Sequence, residues 1–103
     1  MLRNFKAELF KSLAHATRIR ILDELRAGPR SVLDLQHALG LGQPSVSQHL
    51  AALRGKGLLL ARREGAFVRY SVADERLWQL LDIARDLYDR QLHAERADFE
   101  ASR

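Results

Sequence analysis

Five polar side chains that can donate or accept hydrogen bonds lie close together near the middle of the chain: Gln43, Ser45, Ser47, Gln48 and His49. Val46, Leu50 and Leu53 recur among them with the spacing of one helix face, so the segment is predicted to be a short helix with one buried side. No acidic residue occurs between positions 43 and 57. Polar side chains without negative charge can reach base edges and phosphates without repelling them. The pattern therefore favours a helix that enters the major groove of DNA.

The same residues contain the hydroxyl and imidazole groups of a hydrolase. Ser45, Ser47 and His49 could supply a nucleophile and a base, but the segment has no acidic residue to orient the histidine. A nucleophile activated by histidine needs that third group. The sequence is therefore predicted not to be an enzyme.

Three helices are predicted ahead of this polar segment. Apolar spacing places them at about residues 3–13, 17–26 and 31–39. Ser31 and Asp34 form the S-x-x-D pattern of a helix start, and Gly40–Gly42 suits a tight turn. The third helix and the polar helix, predicted over about 44–55, then match a helix-turn-helix unit over 31–55, in which the second helix contacts DNA.

A β-hairpin is predicted directly after that unit, over residues 58–72. An apolar run ends in two arginines, Glu64–Ala66 forms a turn, and Phe67–Val72 alternates between apolar and polar residues. The basic residues predicted to contact phosphates or the minor groove are Arg54, Arg62, Arg63 and Arg69. The hairpin is thus a candidate wing, and the alternative is an ordinary hairpin with solvated arginines.

The last predicted helix, over about 74–97, has a broader apolar stripe than one small core requires. We expect it to pair with its copy across a two-fold axis, together with the first helix over 1–13. The residues predicted at this dimer interface are Phe5, Leu9, Leu77, Leu81, Ala84, Tyr88 and Leu92. The alternative is that the last helix folds back on its own core.

Length and composition limit the class of protein. A chain of 103 residues suits one domain, here 1–103. The absence of cysteine excludes disulfides and thiolate metal sites. No apolar run approaches the roughly 20 residues of a membrane span, so no membrane contact and a cytoplasmic location are expected.

Charge is distributed unevenly along the chain. The net charge is +4, but residues 1–73 hold twelve Lys/Arg and five Asp/Glu, a balance of +7. Residues 74–103 hold five Arg and eight Asp/Glu, a balance of −3. The basic part could therefore face a polyanion such as double-stranded DNA, while the acidic part faces away.

Three motifs together resemble the ArsR/SmtB family of bacterial winged-helix transcriptional repressors. LAHATRIRIL at 13–22 resembles the family's entry to its second helix, SVSQHLAALR at 45–54 its recognition helix, and the segment from Arg62 to Tyr70 its wing. One departure is Ala16, where the family usually has proline. The resemblance implies a mainly α (α+β) winged helix-turn-helix fold with about five helices and a two-stranded wing. It also implies a homodimer that occupies operator DNA and represses transcription until a signal lowers its affinity.

The family's signals are often metals, and its ligand positions are mostly absent here. Ser31 and Leu33 stand where one family site has two cysteines. At the site on the last helix only Asp82 and His93 could act as ligands, and Arg96 stands where a ligand belongs. Two of four ligands make a poor tetrahedral site, so neither a metal nor another cofactor is predicted.

Two alternatives stay open at this point. One is a zinc- or nickel-responsive repressor that uses Asp82 and His93 with a ligand from a partner chain. The other is a winged helix that binds proteins rather than DNA, although the acid-free segment argues against it. An unidentified small molecule or protein could also act as the effector.

Overall fold

The computed structural model describes residues 1–102 as five α-helices and a three-stranded antiparallel sheet. The helices are α1 (Leu2–Leu13), α2 (Ala16–Glu24), α3 (Val32–Leu39), α4 (Gln43–Gly55) and α5 (Arg76–Ala101), with a 3₁₀ turn at Leu25–Ala27. The strands are β1 (Arg30–Ser31), β2 (Leu59–Glu64) and β3 (Phe67–Val72), in the spatial order β1-β3-β2. The predicted winged helix-turn-helix fold with five helices is confirmed.

The wing is a hairpin of β2 and β3, as the sequence predicts. Its register runs from Leu59 opposite Val72 to Glu64 opposite Phe67. Gly65 turns the chain with a φ of 61°, a left-handed conformation that favours glycine. The third strand, β1, was not predicted, because two residues are too few to show an alternating pattern. It forms only because Tyr70 and Arg69 of β3 lie opposite it.

One hydrophobic core holds the helices and the base of the wing together. Its fully buried side chains are Ile21, Leu22, Leu35, Val46, Leu50, Leu53 and Leu59. The indole N–H of Trp78 donates to the Leu22 carbonyl at 2.8 Å, which ties the start of α5 to α2. Three residues of α4 are thus anchored in the core, so its opposite side faces outward.

Two hydrogen bonds cap the start of α3, and a glycine in the left-handed conformation follows its end. The Ser31 hydroxyl accepts from the Asp34 N–H, and the Asp34 carboxylate accepts from the Ser31 N–H, each at 3.1 Å. These bonds, together with the Arg69 and Arg30 charges, hold the pKa of Asp34 below its usual value. At the other end, Gly40 takes a φ of 67°. The predicted S-x-x-D pattern is therefore a complete capping box.

Replacing Ser31 with alanine should test this cap. We expect Ser31→Ala to lower the free energy of unfolding by about 1 kcal/mol, because one helix N–H loses its acceptor. Urea denaturation at one protein concentration measures the change. Ser102→Ala, at the exposed end of α5, is the matched control and should leave stability unaltered. Equal stability of the two variants would mean that the cap contributes nothing.

Helix α5 extends well beyond the core. Every described residue from Asp82 onward is exposed, and the molecule measures 62 × 37 × 21 Å. The helix also continues to Ala101, past the predicted end near residue 97. Among residues 1–102, no helix combines the length and apolar character needed to cross a bilayer.

Candidate nucleic-acid interface

Helix α4 presents its polar side chains in three different directions. Val46, Leu50 and Leu53 are all 0% exposed and define the buried side. Successive residues of an α-helix are rotated by about 100°, which places Gln48 opposite that buried side. Of the five polar residues predicted to contact DNA, Gln48 therefore points most directly away from the core.

One flank of α4 carries Gln43, Ser47 and Arg54. The Gln43 side-chain amide donates to the Ser47 hydroxyl oxygen at 2.8 Å, one helical turn away. Because Ser47 accepts this bond, its own hydroxyl hydrogen stays available to an acceptor such as a base edge or a phosphate. Arg54 is exposed in the last turn of the same flank. This flank offers hydrogen-bond donors at the start of the helix and one cation in its last turn.

The other flank carries Ser45 and His49, and there His49 contacts α2. The Arg18 Nε–H donates to His49 Nδ1 at 3.1 Å, and the His15 ring centre lies 5.8 Å from the His49 ring centre. Burial, Arg18 and His15 lower the pKa of His49, in that order of importance. The bond that Nδ1 accepts and the lowered pKa both favour the neutral ring, so we expect His49 to contact DNA, if at all, as a neutral group.

The wing arginines differ in what they contact. Arg62 and Arg63 are exposed on β2, and neither forms an ion pair within the described part of the chain. Arg69 is half-buried and pairs with Glu64 at 3.0 Å and Asp34 at 3.8 Å. Arg69 thus links the wing to the start of α3, whereas the guanidinium groups of Arg62 and Arg63 remain available to an external anion.

The two weak metal candidates are far apart on α5. Asp82 accepts from Arg26 Nη2 at 2.8 Å, and Arg26 lowers the pKa of that carboxyl. His93 lies eleven residues further along, about 16 Å at the helical rise, with its Nδ1 2.9 Å from the Asp89 carbonyl oxygen. Within residues 1–102, no three Cys, His, Asp or Glu side chains cluster as metal ligands would.

The residues predicted at the dimer interface differ in how far they are buried within their own chain. Phe5, Tyr88 and Leu92 are 60%, 63% and 43% exposed, and Ala84 is also exposed. Leu9 and Leu81 are half-buried against the core of the same chain. Leu77 is buried in its own chain, because the first turn of α5 packs on the core and leaves this side chain only 9% exposed, so it offers little surface to a second copy. Ile83 and Leu87, which were not singled out for the interface, add exposed apolar surface to α5.

Arg18 was not predicted as part of this region. It lies within the LAHATRIRIL motif, but nothing in that motif says which side chain it contacts. Its contact with His49 joins residues 31 positions apart, so only the packing of α2 against α4 brings them together.

Comparison with known proteins agrees with this geometry. A sequence profile described as "Bacterial regulatory protein, arsR family" matches residues 15–59, from the start of α2 into the wing. The chain is 44% identical to the uncharacterized HTH-type transcriptional regulator Rv0081 of Mycobacterium tuberculosis, over 88% of this chain and 81% of that protein. It is 40% identical to a probable mercury resistance operon repressor of Streptomyces lividans, over 79% of this chain and 65% of that protein.

Two solved structures share the fold. The crystal structure of M. tuberculosis Rv0081 matches with a TM-score of 0.82 at 42% identity, covering 91% of this chain and 95% of the other. An NMR structure of a homodimeric winged helix-turn-helix DNA-binding domain from Mycobacterium bovis matches with a TM-score of 0.79 at 35% identity. That match covers 88% of this chain and 84% of the other.

Proposed function

The chain belongs to the ArsR family of bacterial regulatory proteins, and we propose on that premise that it represses transcription by binding a pseudo-palindromic operator as a homodimer. Its relatives are winged helix-turn-helix regulators of transcription, so it is a DNA-binding regulator and not an enzyme.

The outward, acid-free side of α4 carries the proposal. Gln48 projects away from the core, with Gln43 and Ser47 on one flank and Ser45 and His49 on the other. A glutamine can bind adenine through two hydrogen bonds in the major groove, and such a pair discriminates by about 1–3 kcal/mol. We therefore assign base reading chiefly to Gln48, with its neighbours contacting base edges or adjacent phosphates.

Arginines beside α4 would bind the DNA backbone. Arg54, Arg62 and Arg63 are exposed, the first in the last turn of α4 and the other two on strand β2 of the wing. Each phosphate that such a cation neutralises changes the slope of log affinity against log salt by about −0.9. Arg69 contributes less directly, because its ion pairs with Glu64 and Asp34 hold the wing in place.

A homodimer would place two recognition helices on one face of the DNA. Exposed apolar residues on α1 and α5, including Phe5, Tyr88 and Leu92, form a surface suited to a second copy. The M. bovis relative with this fold is homodimeric. Two-fold symmetry would then place the two α4 helices in successive major grooves, about 34–36 Å apart. Binding to operator DNA also implies a cytoplasmic location.

Two substitutions should separate base reading from backbone binding. Gln48→Ala should lower the preference for operator over random DNA about tenfold, because it removes a base contact. Arg63→Ala should weaken both affinities alike and reduce the salt slope by about 0.9. Fluorescence anisotropy over a series of salt concentrations measures both effects.

The DNA for this comparison is a duplex that the wild-type protein enriches from a random library. Arg90→Ala, at an exposed position on the side of α5 opposite Tyr88, is the control and should bind both duplexes like the wild type. If Gln48→Ala weakened operator and random DNA equally, Gln48 would not read bases. If the wild-type protein enriched no sequence at all, the proposed function itself would be wrong.

A further inference from the structure

We propose that Arg18 is a positioning residue that fixes the orientation of the recognition helix α4 relative to α1. The inference rests on the proposed DNA-binding function and extends it to a residue outside the polar face of α4. One guanidinium group bridges the last turn of α1 and the middle of α4. The half-buried Arg18 side chain itself belongs to α2, so three helices meet at this group.

The α1 end of the bridge is rigid. Arg18 Nη1 donates to the Ser12 carbonyl oxygen at 3.2 Å. This carbonyl is among the last four of α1, which lack partners inside the helix, and a cation there is favourable. Ser12 is only 4% exposed, and its hydroxyl donates to the Glu8 carbonyl at 2.8 Å. The guanidinium therefore holds a fixed point of α1.

The α4 end requires a neutral histidine. Arg18 Nε donates to His49 Nδ1 at 3.1 Å, and an imidazole nitrogen accepts a hydrogen bond only when it carries no proton. The proton of the neutral ring must then lie on Nε2. This bond fixes the ring's tautomer and orientation, and through the ring it restrains rotation of α4 about its axis.

The charges around His49 make this bridge sensitive to pH. The charged and titratable groups of the surrounding helices are Arg18, His15, Glu8, Lys11 and Lys56. Lys56 is paired with Glu8 at 2.9 Å, and the other three are basic. Protonation of His49 would remove the acceptor and bring two cations together. Since burial, Arg18 and His15 lower the pKa of His49, the bridge is intact at neutral pH and opens as the pH falls below the ordinary histidine range.

Lysine cannot replace arginine in this role. The planar guanidinium directs donors toward two acceptors on different helices, whereas an ammonium group is a point charge on a flexible stem. Side chains that read bases need placement within about 0.5 Å. Loss of the bridge should therefore reduce sequence preference more than it reduces general affinity for DNA.

The test compares Arg18→Lys with the wild type on the enriched duplex and on a random duplex, at constant ionic strength. We expect Arg18→Lys to weaken operator binding about tenfold and to change random-duplex binding by less than about twofold. Lys56→Gln is the matched control, because it removes the other polar link between α1 and the end of α4. That ion pair is half-exposed, so operator binding should change by less than about twofold.

Varying the pH from about 8 to about 5.5 separates positioning from a phosphate contact. The wild-type preference for operator should fall as His49 becomes protonated. His49→Asn keeps a neutral acceptor that does not titrate, so it should lose less of the preference for operator DNA than His49→Ala does. The preference that His49→Asn retains should not vary with pH. Arg18→Lys should likewise show no pH-dependent loss, whereas Lys56→Gln should follow the wild-type profile.

Several outcomes would overturn the proposal. Equal weakening of both duplexes by Arg18→Lys would make Arg18 a phosphate contact, and no weakening would leave it without a role in binding. If Arg18→Lys does not fold, the His49→Asn variant decides. A preference for operator DNA that still falls with pH in that variant would rule out the bridge. Nitrogen chemical shifts of His49 test the bridge without DNA: they should show one tautomer in the wild type and a mixture in Arg18→Lys. This readout stands even if the wild-type protein fails to distinguish operator from random DNA.

Discussion

Tyr88→Glu is expected to convert the homodimer to monomers and to weaken operator binding about a hundredfold or more. Tyr88 is 63% exposed near the middle of α5, beyond the part of the helix that packs on the core. A carboxylate there would have to be desolvated in an apolar interface between copies. In the proposed complex one copy binds each half-site of the operator, so separation would remove the gain from two linked contacts.

Sedimentation equilibrium measures the oligomeric state, and anisotropy with the enriched duplex measures the affinity. Ala97→Glu introduces the same side chain on the charged side of the same helix, and it should remain dimeric with unchanged affinity. Circular dichroism should show that Tyr88→Glu stays folded, because its side chain is exposed in the isolated chain. A dimeric Tyr88→Glu variant with wild-type affinity would exclude this face of α5 from the interface.

Leu50→Ala is expected to lower the free energy of unfolding by about 3 kcal/mol. Leu50 is 0% exposed and lies between Val46 and Leu53 on the buried side of α4. Truncation loses the burial of the removed carbons and leaves a cavity, at a cost of about 2–5 kcal/mol. Small domains are stable by about 5–15 kcal/mol, so this single change removes a large share of the stability.

Urea denaturation measures the effect, at one protein concentration for all variants because dimer formation stabilises the folded state. Leu60→Ala is the control, since it makes the same truncation at a leucine that is 57% exposed, and should change stability by less than about 0.5 kcal/mol. A cost below about 1 kcal/mol for Leu50→Ala would contradict the placement of α4 on the core.

The helices and the wing hairpin were predictable because their signals are local. Val46, Leu50 and Leu53 repeat with the helical period, which is enough to identify the buried side of α4. Ser31 and Asp34 are three residues apart and close their own capping box. The turn at Gly65 between alternating strands likewise depends on adjacent residues only. For such features, neighbours along the chain supply both partners of the interaction.

The candidate DNA site was predictable only in part. The sequence identifies five polar residues on α4 but treats them as one face, whereas the helix turns Gln48 outward and His49 toward α2. Likewise, the apolar stripe of α5 does not say where the core ends. Leu77 falls inside it and Tyr88 outside, because the core is shorter than the 26-residue helix.

By itself, the sequence determined which segments form the five helices and the two strands of the wing, which side of α4 is buried, and where donors and cations stand in relation to it. Only the tertiary structure decided which distant groups meet. Arg18 contacts His49 across 31 positions, Arg26 contacts Asp82 across 56, and Arg30 pairs with Tyr70 to create β1. The physical reason is that periodicity and capping act over three or four residues, whereas these contacts depend on how packed helices cross and how the wing lies against them.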